Sequence, residues 1–112
     1  MNSRLHTTLR IRELNDRFRE TFSGGRVLIT AGIRDLGDTF TNRCAQAVQS
    51  FTDFNAGDDP YGEHDFGCVV VDRQKVFWKI DYYDRECRYA SNCPADPAQT
   101  TRVLTIMLAS EY

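Results

Sequence analysis

The chain has 112 residues, 41% of them hydrophobic and 27% charged, and a net charge of −2. That length supports one core and would leave two marginal ones, and the composition is that of a folded domain. No apolar run nears the roughly 20 residues of a membrane span. The faintly negative charge argues against general nucleic-acid binding by counterion release.

The expectation is therefore one α+β domain over residues 1–112, with an N-terminal arm to about residue 8. A cytoplasmic location is expected because MNSRLHTTLRIREL has no apolar stretch of the secretory kind. Ile11, Leu14, Phe18 and Phe22 recur at helical spacing, with Arg10, Glu13, Arg17 and Glu20 on the opposite side. This predicts a first helix from Ser3 or Thr8 to Phe22, stopped by Gly24-Gly25. Leu5 and Leu9 fall off that stripe and mark a second contact surface, a separate arm or a frayed end.

A short β-branched strand is predicted at Arg26–Thr30, a turn region at Ala31–Gly37, and a second helix from about Asp38 to Phe54. Its stripe is Phe40, Cys44, Ala47, Val48 and Phe51. NAGDDPYGEHDFG reads as a loop by its turn chemistry. A hairpin follows, Phe66–Val71 with Val76–Tyr83. Arg73-Gln74 suits a tight turn poorly, so a four-residue loop is expected, pairing Val71 with Val76 and Val69 with Trp78. That register puts Gly67, Val69, Trp78 and Ile80 on a core face, with Asp65 opposite Tyr82. It gathers His64, Lys79, Asp81 and Tyr83 on the outer face. Arg85–Ala90 is a candidate edge strand. Asp96-Pro97 reads as the start of a last helix, Pro97 to about Ser110. Its apolar arc is wide enough for a central position or for half of a homodimer interface.

Three patterns bear on chemistry. The four cysteines, Cys44, Cys68, Cys87 and Cys93, contain no C-x-x-C pair, which argues against zinc, and a reducing compartment argues against disulfides. Cys44 and Cys68 read as small buried hydrophobes. The loop acids Asp58, Asp59, Glu63 and Asp65 with His64 lack EF-hand spacing and read as a solvated acidic turn, so neither metal nor cofactor is expected. His64, Asp81, Lys79 and Tyr83 have the residue types for acid–base work. They lack a nucleophile, and a Lys–Asp cross-strand pair accounts for them more simply. Twelve arginines stand against two lysines, six of them within the first 26 residues, while residues 53–66 hold five acids and no base. Such a dipolar surface fits a protein partner better than nucleic acid.

IRELNDRFRETFSGGRVLIT, DDPYGEHDFG, VFWKIDYYDRE and DPAQTTRVLTIMLASEY together resemble a family of small bacterial proteins known only as a domain of unknown function. The resemblance runs from Ile11 to Tyr112 and is weakest over residues 31–57. It implies no reaction, cofactor or catalytic residue. Members are often carried on plasmids and other mobile elements beside conjugation and anti-restriction genes, which implies a part in blocking a host defence complex.

The reading is a small, mainly antiparallel sheet around a central hairpin, packed on about three helices. The function expected is a non-enzymatic protein-binding module, an inhibitor of a CRISPR effector or restriction nuclease. Its contacts would be Asp58, Asp59, Glu63, Asp65, Lys79, Asp81 and Tyr83, with the acids mimicking phosphate. Reversing Asp58, Asp59 and Glu63 to lysine should then abolish binding and leave the thermal midpoint nearly unchanged. The alternatives are a metal-dependent or acid–base enzyme using Asp59, Glu63, His64 and Asp81, or a nucleic-acid binder using the Arg-rich first helix.

Overall fold

A computed structural model describes residues 3–112. Helix α1 spans Ser3–Thr21, strand β1 Arg26–Ile29, the short α2 Ala31–Arg34 and α3 Asp38–Gln49. Strands β2 (Phe66–Val71), β3 (Gln74–Tyr83) and β4 (Thr101–Leu108) follow, and a 3-10 turn, Ala109–Glu111, comes after them. The fold is α+β, as expected, but the sheet is mixed, in the order β1-β4-β3-β2. β1 runs parallel to β4, and the other two pairings are antiparallel.

The largest departure from expectation is β4. Residues 97–110 form no helix; Thr101–Leu108 is a strand hydrogen-bonded on both sides. A central strand with a packed helix layer behind it buries residues of both parities, here Val103, Leu104, Ile106 and Met107. The result is a continuous apolar run that a helix would also produce. Asp96 and Pro97 sit in a turn instead, where the Asp96 carboxylate accepts from the Ala98 amide at 2.9 Å. The third helix is α2, inside the segment expected to be a turn. Arg85–Ala90 adds only a single bridge, Tyr83 to Ala90.

α1 ends as its glycines predict: Phe22 and Gly24 both take positive φ. Its described part is helical from Ser3, so no separate arm is seen over residues 3–8, and Leu5 and Leu9 lie exposed on it. α3 stops at Gln49, short of Phe54, where the Ser50 hydroxyl donates to the Gln46 carbonyl at 2.8 Å.

The hairpin is tighter than predicted. Val71 pairs with Gln74 and Val69 with Val76, leaving Asp72-Arg73 as a two-residue loop. Both loop residues have positive φ, 49° and 68°, the I′ geometry whose twist matches the strands. Asp72 tolerates that conformation and is held by Arg43, whose Nη1 is 2.8 Å from both carboxylate oxygens. The slip from the predicted register is two residues, an even number, so every strand residue keeps its predicted face. Arg73 gains nothing from its left-handed backbone, and Arg73→Gly should stabilise the fold by about 1 kcal/mol. A higher midpoint in urea at unchanged slope would show it.

All three helices contribute to one face of the sheet. Phe18 of α1, Ile33 of α2 and Phe40, Cys44 and Val48 of α3 pack with Val76, Trp78, Ile80, Leu104 and Ile106. Gly67, Trp78 and Ile106 form one row across the strands. Trp78 is completely buried and lies on Gly67, where a Cβ would come within 2.4 Å of the indole nitrogen. Phe51 and Phe54 meet the indole edge-on at 5.4 and 6.2 Å. Among the described residues no α-helix covers the opposite face of the sheet; the C-terminal 3-10 turn and Tyr112 reach one part of it.

Candidate functional site

The structure divides the expected contact residues between two places. Lys79, Asp81 and Tyr83 lie on the bare face of the sheet, and the loop acids with His64 lie at the helix-covered side, against α1.

On the bare face, cross-strand rows run Leu28–Thr105–Lys79–Phe66 and Arg26–Val103–Asp81. Lys79 Nζ is 2.9 Å from Asp81 Oδ2, an ion pair as expected but between neighbours on the same face of β3 and not across strands. That hydrogen bond raises the lysine's affinity for its proton. A shallow groove of about 550 Å³ crosses the pair and reaches Leu28, Tyr83, Cys87 and Met107. At its far end Tyr112 meets Phe66 and Phe77 edge-on, at 6.1 and 5.4 Å. Leu28 is 53% exposed and Val70, on the outer strand, 70%. Cys68, expected inside, is half-buried on this face, whereas Cys44 is enclosed in the core and burial raises its thiol pKa. All four cysteines are free.

His64 does not join Lys79, Asp81 and Tyr83. It precedes β2 and has a positive φ of 56°, so strand alternation does not extend to it. Its ring stacks on Phe54 at 3.6 Å, with Nδ1 2.8 Å from Asp16 Oδ1 and Nε2 3.6 Å from Asp59 Oδ2. Asp59 is only 8% exposed and accepts the His64 amide at 3.0 Å. Glu63 accepts the Tyr82 hydroxyl at 2.8 Å. These two acids therefore belong to the fold, which corrects the expectation that loop charges could be reversed at no cost in stability. Asp58 remains exposed, and Asp65 is half-buried.

Asp65 illustrates the cost. Burial, and then the Glu63 carboxylate, raise its pKa above the ordinary 3.8. The folded chain thus binds the proton more tightly than the unfolded one, and ionised Asp65 opposes folding at neutral pH. Asp65→Asn should raise stability at pH 7. The gain should shrink as pH falls through the raised value and vanish below 3.8; paired melts at pH 7 and pH 3.5 would check it.

The residues that organise this side were not singled out by sequence reasoning. Asn15 Nδ2 donates to the Glu63 carbonyl at 3.0 Å and to the Tyr82 hydroxyl at 2.8 Å, and Asn15 Oδ1 accepts from Arg102 Nε at 2.8 Å. Burial and the Glu63 bond hold the Tyr82 phenol firmly protonated. Arg19 is buried, bonded to Asp16 at 3.0 Å and to the Phe51 carbonyl at 3.2 Å, with its guanidinium over Phe54 and Trp78. The available signal was spacing: Asn15 stands four residues after Ile11 and three before Phe18, inside the buried stripe of α1. Among the described residues no group of three or more His, Cys, Asp or Glu side chains is placed to hold a metal ion, and no helix is long and apolar enough to cross a membrane.

The profile of a family described as "Protein of unknown function (DUF3768)" matches residues 29–111. The chain belongs to that family. The DUF3768 match takes in α2, α3 and strands β2 to β4, and begins later than the Ile11 of the sequence resemblance. Asn15, Asp16 and Arg19 of α1 lie outside it. No curated protein and no solved structure matches the chain.

Proposed function

We propose that the chain is a non-enzymatic protein-binding module that meets its partner through the bare face of the sheet. The observation that carries this reading is the two-layer architecture: helices cover one side of a four-stranded sheet, and the other presents an apolar groove around the Lys79–Asp81 pair. Aromatic and arginine side chains, here Tyr83 and Arg26, are among the types enriched at interfaces. Leu28 and Val70 add exposed apolar side chains at the two edges of this face.

The bond pattern of the acidic loop also supports binding over catalysis. Asp59, Glu63 and His64 are engaged with protein atoms, and Asp81 is on the far side of the sheet from them. The narrower reading is a mobile-element-borne inhibitor that occupies the basic channel of a defence nuclease or CRISPR effector by acidic mimicry. It draws on the family resemblance and asks most of Asp58, the exposed member of the loop acids. The bare face offers a larger contact of mixed character, suited to an ordinary protein surface.

Site-specific photo-crosslinkers at Leu28 and Thr105, in cells of the source organism, test the reading. Both positions should trap the same protein, a crosslinker at Glu13 on the outer side of α1 should not, and Leu28→Arg should abolish the adduct at Thr105. Equal trapping from Glu13 and Thr105 would overturn it.

A further inference from the structure

Where α1 hands over to β1 at Gly24-Gly25, the segment leading into β4 lies alongside, and two adjoining pockets of about 300 and 260 Å³ share Gly24, Pro97 and Thr100. Arg26 and Arg85 line the first with Thr101; Arg10, Arg17 and Arg102 line the second with Ser23. Neither lining contains an aspartate or a glutamate. On a chain whose net charge is −2, gathering five arginines along two adjoining pockets whose linings hold no acid is a local inversion of the overall balance.

The decisive residue is Arg102. It is 3% exposed, and its partners are neutral: Nε donates to Asn15 Oδ1 at 2.8 Å and Nη2 to the Pro94 carbonyl. Nη1 has no hydrogen-bond partner among the described residues, and the residue lines the pocket. The Tyr82 ring lies 5.3 Å beneath the guanidinium and Glu63 attracts it from a distance. Yet among the described residues no carboxylate touches it, and a buried charge without a directly bonded counter-ion is unfavourable. Burial weakens Arg102's hold on its proton, partly offset by Tyr82 and Glu63 and reinforced by the like charge of Arg10. Arg17, Arg26 and Arg85 form no ion pair among the described residues, and Arg10 has only an exposed contact with Glu13 at 3.3 Å. Gly24 adds room for close approach: a Cβ there would meet nothing within 4 Å.

We infer that this groove is an oxyanion site for a phosphate group, with Arg102 at its base and Arg10, Arg17, Arg26 and Arg85 along its walls. Guanidinium forks match phosphate oxygens two at a time, and several converging on one pocket favour phosphate over a singly charged ion. The phosphate belongs either to a small phosphorylated molecule or to the phosphodiester backbone of a single strand. This groove shares only Arg26 with the bare sheet face, and the inference stands whether or not that face binds protein.

Thermal shift and calorimetry with pyrophosphate, against sodium chloride at matched ionic strength, test the site. Pyrophosphate should raise the midpoint in a concentration-dependent way. The double variant Arg17→Gln/Arg85→Gln, at exposed positions with no partners to lose, should weaken binding at least about tenfold. Lys75→Gln, which removes a positive charge at the far end of the hairpin, should leave it unchanged. A ten-residue oligothymidylate in parallel separates the sources. Tighter binding than pyrophosphate, with a steep salt dependence, assigns the groove to a nucleic-acid backbone; weaker binding assigns it to a small phosphorylated ligand. No shift beyond matched chloride, or full affinity in the double variant, would overturn the inference.

Discussion

Trp78→Ala should cost about 3–5 kcal/mol, the range for deleting a buried aromatic side chain, and in a domain of ordinary stability, about 5–15 kcal/mol, that is a large share. The indole is enclosed by Phe51, Phe54 and the backbone of Gly67 and also lies beneath the Arg19 guanidinium. Its removal takes away a cation–π contact as well as apolar burial. The complementary substitution, Gly67→Ala, drives a methyl into the indole ring and should cost about 1–3 kcal/mol through overpacking. Chemical denaturation of both variants would check the pair. The glycine change should weaken much less in a Trp78→Leu background, where the ring that the methyl strikes is gone.

Asn15→Leu should cost about 3 kcal/mol, although it adds apolar volume to a buried position. Leucine offers nothing to Arg102 Nε, the Glu63 carbonyl or the Tyr82 hydroxyl, each of which now bonds to this one side chain. Leaving a buried guanidinium without its acceptor is the main penalty. Tyr82→Phe should cost less, about 1 kcal/mol, because the ring stays packed under Arg102 at 5.3 Å and only the hydroxyl is lost. A double-mutant cycle should show the two changes to be non-additive. Simple addition would mean that the network does not act as a unit.

How far the sequence could be read depended on whether each signal had one structural cause. Ile11, Phe18 and Phe22 followed by glycines specify a helix and its end, and the structure agrees. Alternation along β3 placed Trp78 and Ile80 inside correctly, even though the turn was read two residues too long; an even slip preserves the faces. β4 failed because a strand buried on both sides loses its period of two. Val103, Leu104, Ile106 and Met107 then fit a helix equally well. The site was legible at Lys79 and Asp81, an ion pair between residues that alternation sets on one face of β3. It was not legible at His64, whose backbone leaves the strand conformation, nor at Asn15 and Arg102. Their partners are distant in sequence, and only the fold brings them together.

The parallel pairing of β1 with β4 also shapes how the chain acquires its structure. Arg26 sits beside Val103, and β4 lies between β1 and β3, both made before it in synthesis. The β2–β3 hairpin and the helices are local and form early, whereas the sheet cannot close until the last strand arrives. Until then β1 has no neighbour and β3 keeps an unpaired edge. Long-range pairing of this kind slows folding, so refolding on the millisecond-to-second scale is expected. A ribosome-bound nascent chain still short of Thr101 would expose the apolar strands of an unfinished sheet, and that is when aggregation most threatens it.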